Sequence, residues 1–123
     1  MIKIKNAKDT TLFHFVIDEK GNVVEERAMH QRTPVPTVYY YYNARNQLTD
    51  IVRFNEAAKR LLPDYIFAYD EQGILESMIV VPQGSTDYQK WVYRYNEKGL
   101  KTQEICFSRR SELLGKISYH YNY

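Results

Sequence analysis

The stretch YIFAYDEQGILES, residues 65–77, sets two alternating runs on either side of the break DEQG. Tyr65, Phe67 and Tyr69 lead into the break, and Leu75 opens the run that leaves it. Alternation with period two marks a strand whose two faces differ in polarity. The break has the chemistry of a turn. Asp70 can accept backbone N–H groups through its side chain and so open a type I turn. Gly73 can take the left-handed conformation that closes such a turn as a G1 bulge. The stretch therefore reads as a β-hairpin.

The same arrangement returns as YYYYNARNQLTD (39–50), as WVYRYNEKGLKT (91–102) and, more faintly, as FHFVIDEKGNVVE (13–25). Its opening residues Asp18, Asn43, Asp70, Asn96 and Asn122 are 25 to 27 residues apart, and Gly21, Asn46, Gly73 and Gly99 follow the first four at a constant offset. Self-similarity at a fixed period is the signature of a repeat architecture. One domain, 1–123, then contains units at about 10–36, 37–64, 65–90 and 91–116, with a partial unit at 117–123.

Simple pairing across the turn opposes Asp70 to Ile74, Tyr69 to Leu75, Phe67 to Ser77 and Tyr65 to Ile79. In the same register the polar residues Glu25, Asp50, Ser77 and Gln103 lie opposite Phe15, Tyr40, Phe67 and Tyr93, on the otherwise apolar face. The joining segments HQRTPVPT, NEAAKRLLPD, PQGSTDYQ and SRRSELLG are polar and rich in breakers. NEAAKRLL has the composition for one or two helical turns, too short to anchor a core. Short connections favour a meander. The expected fold is all-β: antiparallel β-hairpin repeats with a period of about 26 residues, forming one strongly twisted or curled sheet that tends toward an open barrel.

Composition agrees with strands. Twelve Tyr, five Phe and one Trp stand against only five Gly and four Pro. A net charge of +2 provides no field that would imply nucleic acid or an anionic membrane as partner. No apolar run is long enough for a transmembrane segment. The opening MIKIKNAKDTT lacks the apolar region of a signal peptide, so an exported protein would appear here with its leader removed. Cys106, alone in the chain and set between apolar neighbours, reads as a buried, inert thiol.

The segments FAYDEQGILESM and VYRYNEKGLKTQ resemble the YD-repeat (RHS-type) motif, aromatic-x-Tyr-Asp-x-x-Gly-x-Leu. They also resemble small exported proteins of unknown function from Gram-negative gut bacteria. The resemblance spans roughly residues 13–123, with Ile17 in place of the motif tyrosine, Asn in place of Asp at three turns, and Asn46 in place of Gly. It implies this fold, export to the periplasm or cell surface, and a structural or binding role rather than catalysis. The cytoplasm stays open as a location. A few copies cannot build the enclosing shell of the large YD-repeat proteins.

Little in the sequence suggests chemistry. His14, His30 and His120 lack metal-ligand spacing, no nucleophile elbow or phosphate-binding loop occurs, and no cofactor is implied. Glu25 and Asp50 could serve a small glycoside-active enzyme only if a cleft held them about 5–9.5 Å apart. The reading taken is a non-enzymatic interaction module whose partner is a protein or a second copy, met through an edge strand at Tyr119–Tyr123, where the last unit lacks its returning strand. Ile2-Lys3-Ile4-Lys5 alternates and could cover an edge. The alternative is a carbohydrate-binding protein that stacks glycans on an aromatic face. The site residues are Tyr40, Tyr42, Phe67, Tyr69, Trp91, Tyr93 and Tyr95 on that face, with Tyr119 and Tyr121 at the edge.

Overall fold

The structure, a computed structural model, describes residues 10–82 and 85–122. Residues 2–5 therefore lie outside the described residues, as does Tyr123. Nine strands follow one another: β1 (Thr11–Ile17), β2 (Val23–His30), β3 (Thr33–Tyr42), β4 (Leu48–Asn55), β5 (Arg60–Tyr69), β6 (Leu75–Val80), β7 (Gln89–Tyr95), β8 (Lys101–Ser108) and β9 (Leu113–Ser118). Each pairs antiparallel with the next, in the order β1 to β9. Among the described residues nothing joins β1 to β9, so the sheet stays open and does not close into a barrel.

Four turns share one geometry. The side-chain oxygens of Asp18, Asn43, Asp70 and Asn96 each accept two backbone N–H groups, from the residues two and four further on, at 2.9–3.0 Å. Gly21, Asn46, Gly73 and Gly99 follow at φ of 85°, 66°, 85° and 80°. These are the left-handed positions that the spacing required. The β8–β9 connection repeats the device with a serine. Ser108 Oγ accepts from Arg110 and Glu112, and Ser111 takes φ 64°.

Beyond the turns the register departs from simple pairing. Tyr69 does oppose Leu75, but Ser77 opposes Ala68, Met78 opposes Phe67, Ile79 opposes Ile66 and Val80 opposes Tyr65. The returning strand holds one extra residue, Glu76, and the same shift occurs at Val24, Thr49 and Thr102. An extra residue on one strand reverses which face every later side chain takes. Glu25, Asp50, Ser77 and Gln103 thus oppose Val16, Tyr41, Ala68 and Arg94, away from the tyrosine row. Two of the extra residues bind back across the hairpin: Thr49 Oγ1 donates to the Tyr41 carbonyl and Thr102 Oγ1 to that of Arg94.

The β2–β3 and β4–β5 connections are tighter than the breakers suggested. Gln31 and Arg32 turn the chain from β2 to β3 with φ of 50° and 65°, positive at both central residues as in a type I′ turn. Pro34 and Pro36 lie within β3. Glu56–Lys59 is not helical. It is one turn closed by the Lys59 amide on the Asn55 carbonyl at 2.8 Å, with Asn55 Oδ1 accepting from Ala57 and Ala58. So few residues cannot offset the cost of nucleating a helix, and β5 resumes at Arg60. Pro63 falls where the β4–β5 register shifts, a place that tolerates a missing donor.

The sheet is a single layer. Cys106 is the buried hydrophobic residue among those described, and most other apolar side chains are half-exposed on one face or the other.

Candidate functional site

One face carries the expected aromatic row. Tyr40, Ile51, Tyr65, Val80 and Gln89 lie side by side across five strands, and Phe67, Met78, Trp91, Cys106 and Gly115 form the next row. Phe67 stacks on Tyr65 with ring centroids 6.2 Å apart. Trp91 is half-buried between Met78 and Cys106. Burial, then the carboxylate of Glu26, raises the Tyr40 hydroxyl above its ordinary pKa. Burial also raises that of Tyr93, whose ring lies 4.8 Å beneath the Lys101 ammonium.

Several of these tyrosines are already engaged. Tyr42, Tyr69 and Tyr95 donate to the carbonyls of Val23, Leu48 and Leu75 at 2.8, 2.7 and 2.7 Å. Each acceptor is the residue just before the extra one in the preceding hairpin. Tyr121 does the same to Lys101 at 2.6 Å, and Tyr119 donates to the Glu104 carboxylate. The motif tyrosine is thus a clamp on the bulge of the hairpin before it. Turn tips are tied as well, since Asn22 donates to Asn46 Oδ1 and Gln47 Nε2 donates to the Gly73 carbonyl. Ile17 occupies the tyrosine position where, among the described residues, no hairpin precedes.

The opposite face holds what the sequence reading missed. Tyr39 and Tyr41 project there beside Glu25. They line a groove of about 590 Å³ with Asp18, Asn43 and Asn46, and Tyr40 and Tyr42 also contribute to its lining. Glu25 is paired with Arg27 at 3.1 Å, and Asp50 lies outside the groove lining. Alternation along β3 alone turns Tyr39 and Tyr41 away from Tyr40 and Tyr42, but that Glu25 joins them there follows only from the extra residue Val24.

The two edges differ. At β9, the Tyr119 amide donates inward to the Thr102 carbonyl, so by alternation Lys116 and Ser118 present their N–H groups outward. Tyr119 and Tyr121 lie just past this strand rather than in it. At β1, Thr10 accepts from Gln31 and Asp18 donates to Asn22, so the even-numbered residues face β2. Phe13, Phe15 and Ile17 then turn their backbone groups to the side where no described strand pairs, with side chains on the tyrosine face. Leu12, Phe13, Phe15 and Ile17 are 65, 57, 48 and 51% exposed. Phe13 and Phe15 stack at 6.1 Å. The strand TLFHFVI has no Asp, Glu, Lys or Arg, whereas β9 has Lys116 and Gly115. Sheet edges normally carry charges, bulges or prolines that discourage pairing; TLFHFVI has no charge and no proline, and the bulge beside Val16 and Ile17 puts its extra residue, Val24, on β2.

Fold and edges define an open, single-layer antiparallel meander. A solved Bacteroides fragilis protein of unknown function shares this fold, with a TM-score of 0.54 over 90% of this chain and 93% of its own, at 11% identity. No family model matches the sequence, and no curated protein does. No helix among the described residues is long and apolar enough to cross a membrane.

Proposed function

We propose that the protein is a non-enzymatic interaction module that takes an extended partner segment onto the β1 edge by strand addition. One observation carries the reading: an uncharged edge strand that turns the backbone groups of Phe13, Phe15 and Ile17 outward and leaves their side chains half-exposed. Main-chain pairing would supply affinity, and the Phe13–Phe15 stack would select apolar side chains. The proposal includes YD-repeat kinship with a period near 26 residues, a strongly twisted sheet, and export to the periplasm or cell surface. The recurring turn and tyrosine clamp support that kinship.

The test is selection of seven-residue peptides on the immobilised protein, with Phe15→Pro as counter-screen. Phe15 points its N–H outward, so proline there removes an edge donor and spares the β1–β2 ladder. Apolar, extended peptides should bind with micromolar affinity and lose it on Phe15→Pro. Peptides indifferent to that change would refute the reading.

A carbohydrate-binding role is favoured by a separate feature, the groove where Tyr41, 52% exposed, stands beside Tyr39 and Glu25. It requires that oligosaccharide binding be abolished by Tyr41→Ala and be unaffected by Phe15→Pro.

A further inference from the structure

We infer that the occupant of the β1 edge is a second copy of the same strand, joined antiparallel about a two-fold axis at His14. This rests on the edge-binding reading and names its partner. The argument is one of register. The outward residues Phe13, Phe15 and Ile17 share a face, so a two-fold axis normal to the sheet continues the same face into the second copy.

Only one such register pairs the seven-residue strand along its whole length. It sets Thr11 against the partner's Ile17 and Phe13 against the partner's Phe15. On the other face it sets Leu12 against the partner's Val16 and His14 against the partner's His14. The first two are hydrogen-bonded pairs, because their backbone groups face the edge; the last two are the closer, non-hydrogen-bonded kind. Two Phe13–Phe15 pairs then meet across the axis, the aromatic contact that most strengthens a strand pair.

Charge argues the same way. No formally charged side chain lies in Thr11–Ile17, so two copies meet without repulsion. The β9 edge would place a charged residue, Lys116, in the seam, and against its own copy in the register centred on it. The side chains left half-exposed on β1 are those that the symmetric pairing covers.

Light scattering across a hundredfold concentration range should show a monomer–dimer equilibrium that Phe15→Pro shifts to monomer. Register is tested by cysteine. His14 is exposed, so His14→Cys should fold and, on mild oxidation, yield a disulfide-linked dimer. Leu12→Cys, facing the partner's Val16, should do so at least tenfold more slowly. A monomer at every concentration would overturn self-pairing, and peptide binding sensitive to Phe15→Pro would then keep the edge reading with another occupant. Equal crosslinking of the two variants, or a dimer indifferent to Phe15→Pro, would also overturn it.

Discussion

The Tyr69 hydroxyl donates to the Leu48 carbonyl at 2.7 Å, joining two hairpins whose turns are formed independently. Leu48 immediately precedes Thr49, the extra residue that shifts the β3–β4 register. The clamp therefore acts on the backbone where pairing is least regular. A single-layer sheet has no second layer to hold its hairpins together, and contacts between neighbours must do so.

Tyr69→Phe keeps the ring and removes the donor. It should cost about 1 kcal/mol, the net worth of a neutral hydrogen bond. Tyr121→Phe, on an exposed residue at the end of the row, should cost less. Urea denaturation measures both, and equal losses would contradict the clamp.

Glycine is needed at the turn for its backbone alone. A Cβ on Gly99 would meet nothing within 4 Å, while its φ is 80°. Gly99→Ala should cost about 1–2 kcal/mol purely as left-handed strain. Ser111→Gly should stabilise the β8–β9 turn by up to about 1 kcal/mol, since serine now holds φ 64° there.

Asp18 gives one turn a pH dependence that asparagine denies to two others. The Asn22 amide, then that of Lys20, holds its carboxyl below the usual value, against an opposing desolvation. A carboxyl depressed in the folded state adds stability above its unfolded pKa of about 3.9, and that stability is lost as pH falls toward the folded value. Asp18→Asn should match the parent near pH 7 and retain more of its stability below about pH 4. Thermal melts of the two proteins from pH 7 to 2.5 would show it.

Proline reports which way β9 faces. Lys116 turns its N–H outward, so Lys116→Pro should cost under about 1 kcal/mol if its φ suits. Ile117, opposite Glu104, turns inward, and Ile117→Pro should cost about 3 kcal/mol or more. Reversed costs would mean that the edge is turned the other way.

Cys106 is buried beside Gln89, its Sγ 3.7 Å from Oε1, and burial raises its thiol pKa. A disulfide reagent at pH 8 should label it at least a hundredfold more slowly in the native protein than in urea, because the thiolate is the nucleophile.

The turns and strands were legible because their information is local. Asp70 reaches amides two and four residues away, and Gly73 needs only its own φ, so Asp/Asn-x-x-Gly/Asn between alternating runs suffices. The prolines of β3 and β5 lie inside strands, near their beginnings, so as breakers they displace only the expected strand starts. The face on which Glu25, Asp50, Ser77 and Gln103 lie was not legible. It turns on one extra residue per hairpin, gripped by a tyrosine about twenty positions further along the chain. Nor was the edge position of β1, because TLFHFVI reads like any interior strand until the order of the described strands sets it outermost. The hairpins are specified by local chemistry, through bonds that close within five residues; register, face and edge arise only on folding, because they depend on which strand lies beside which.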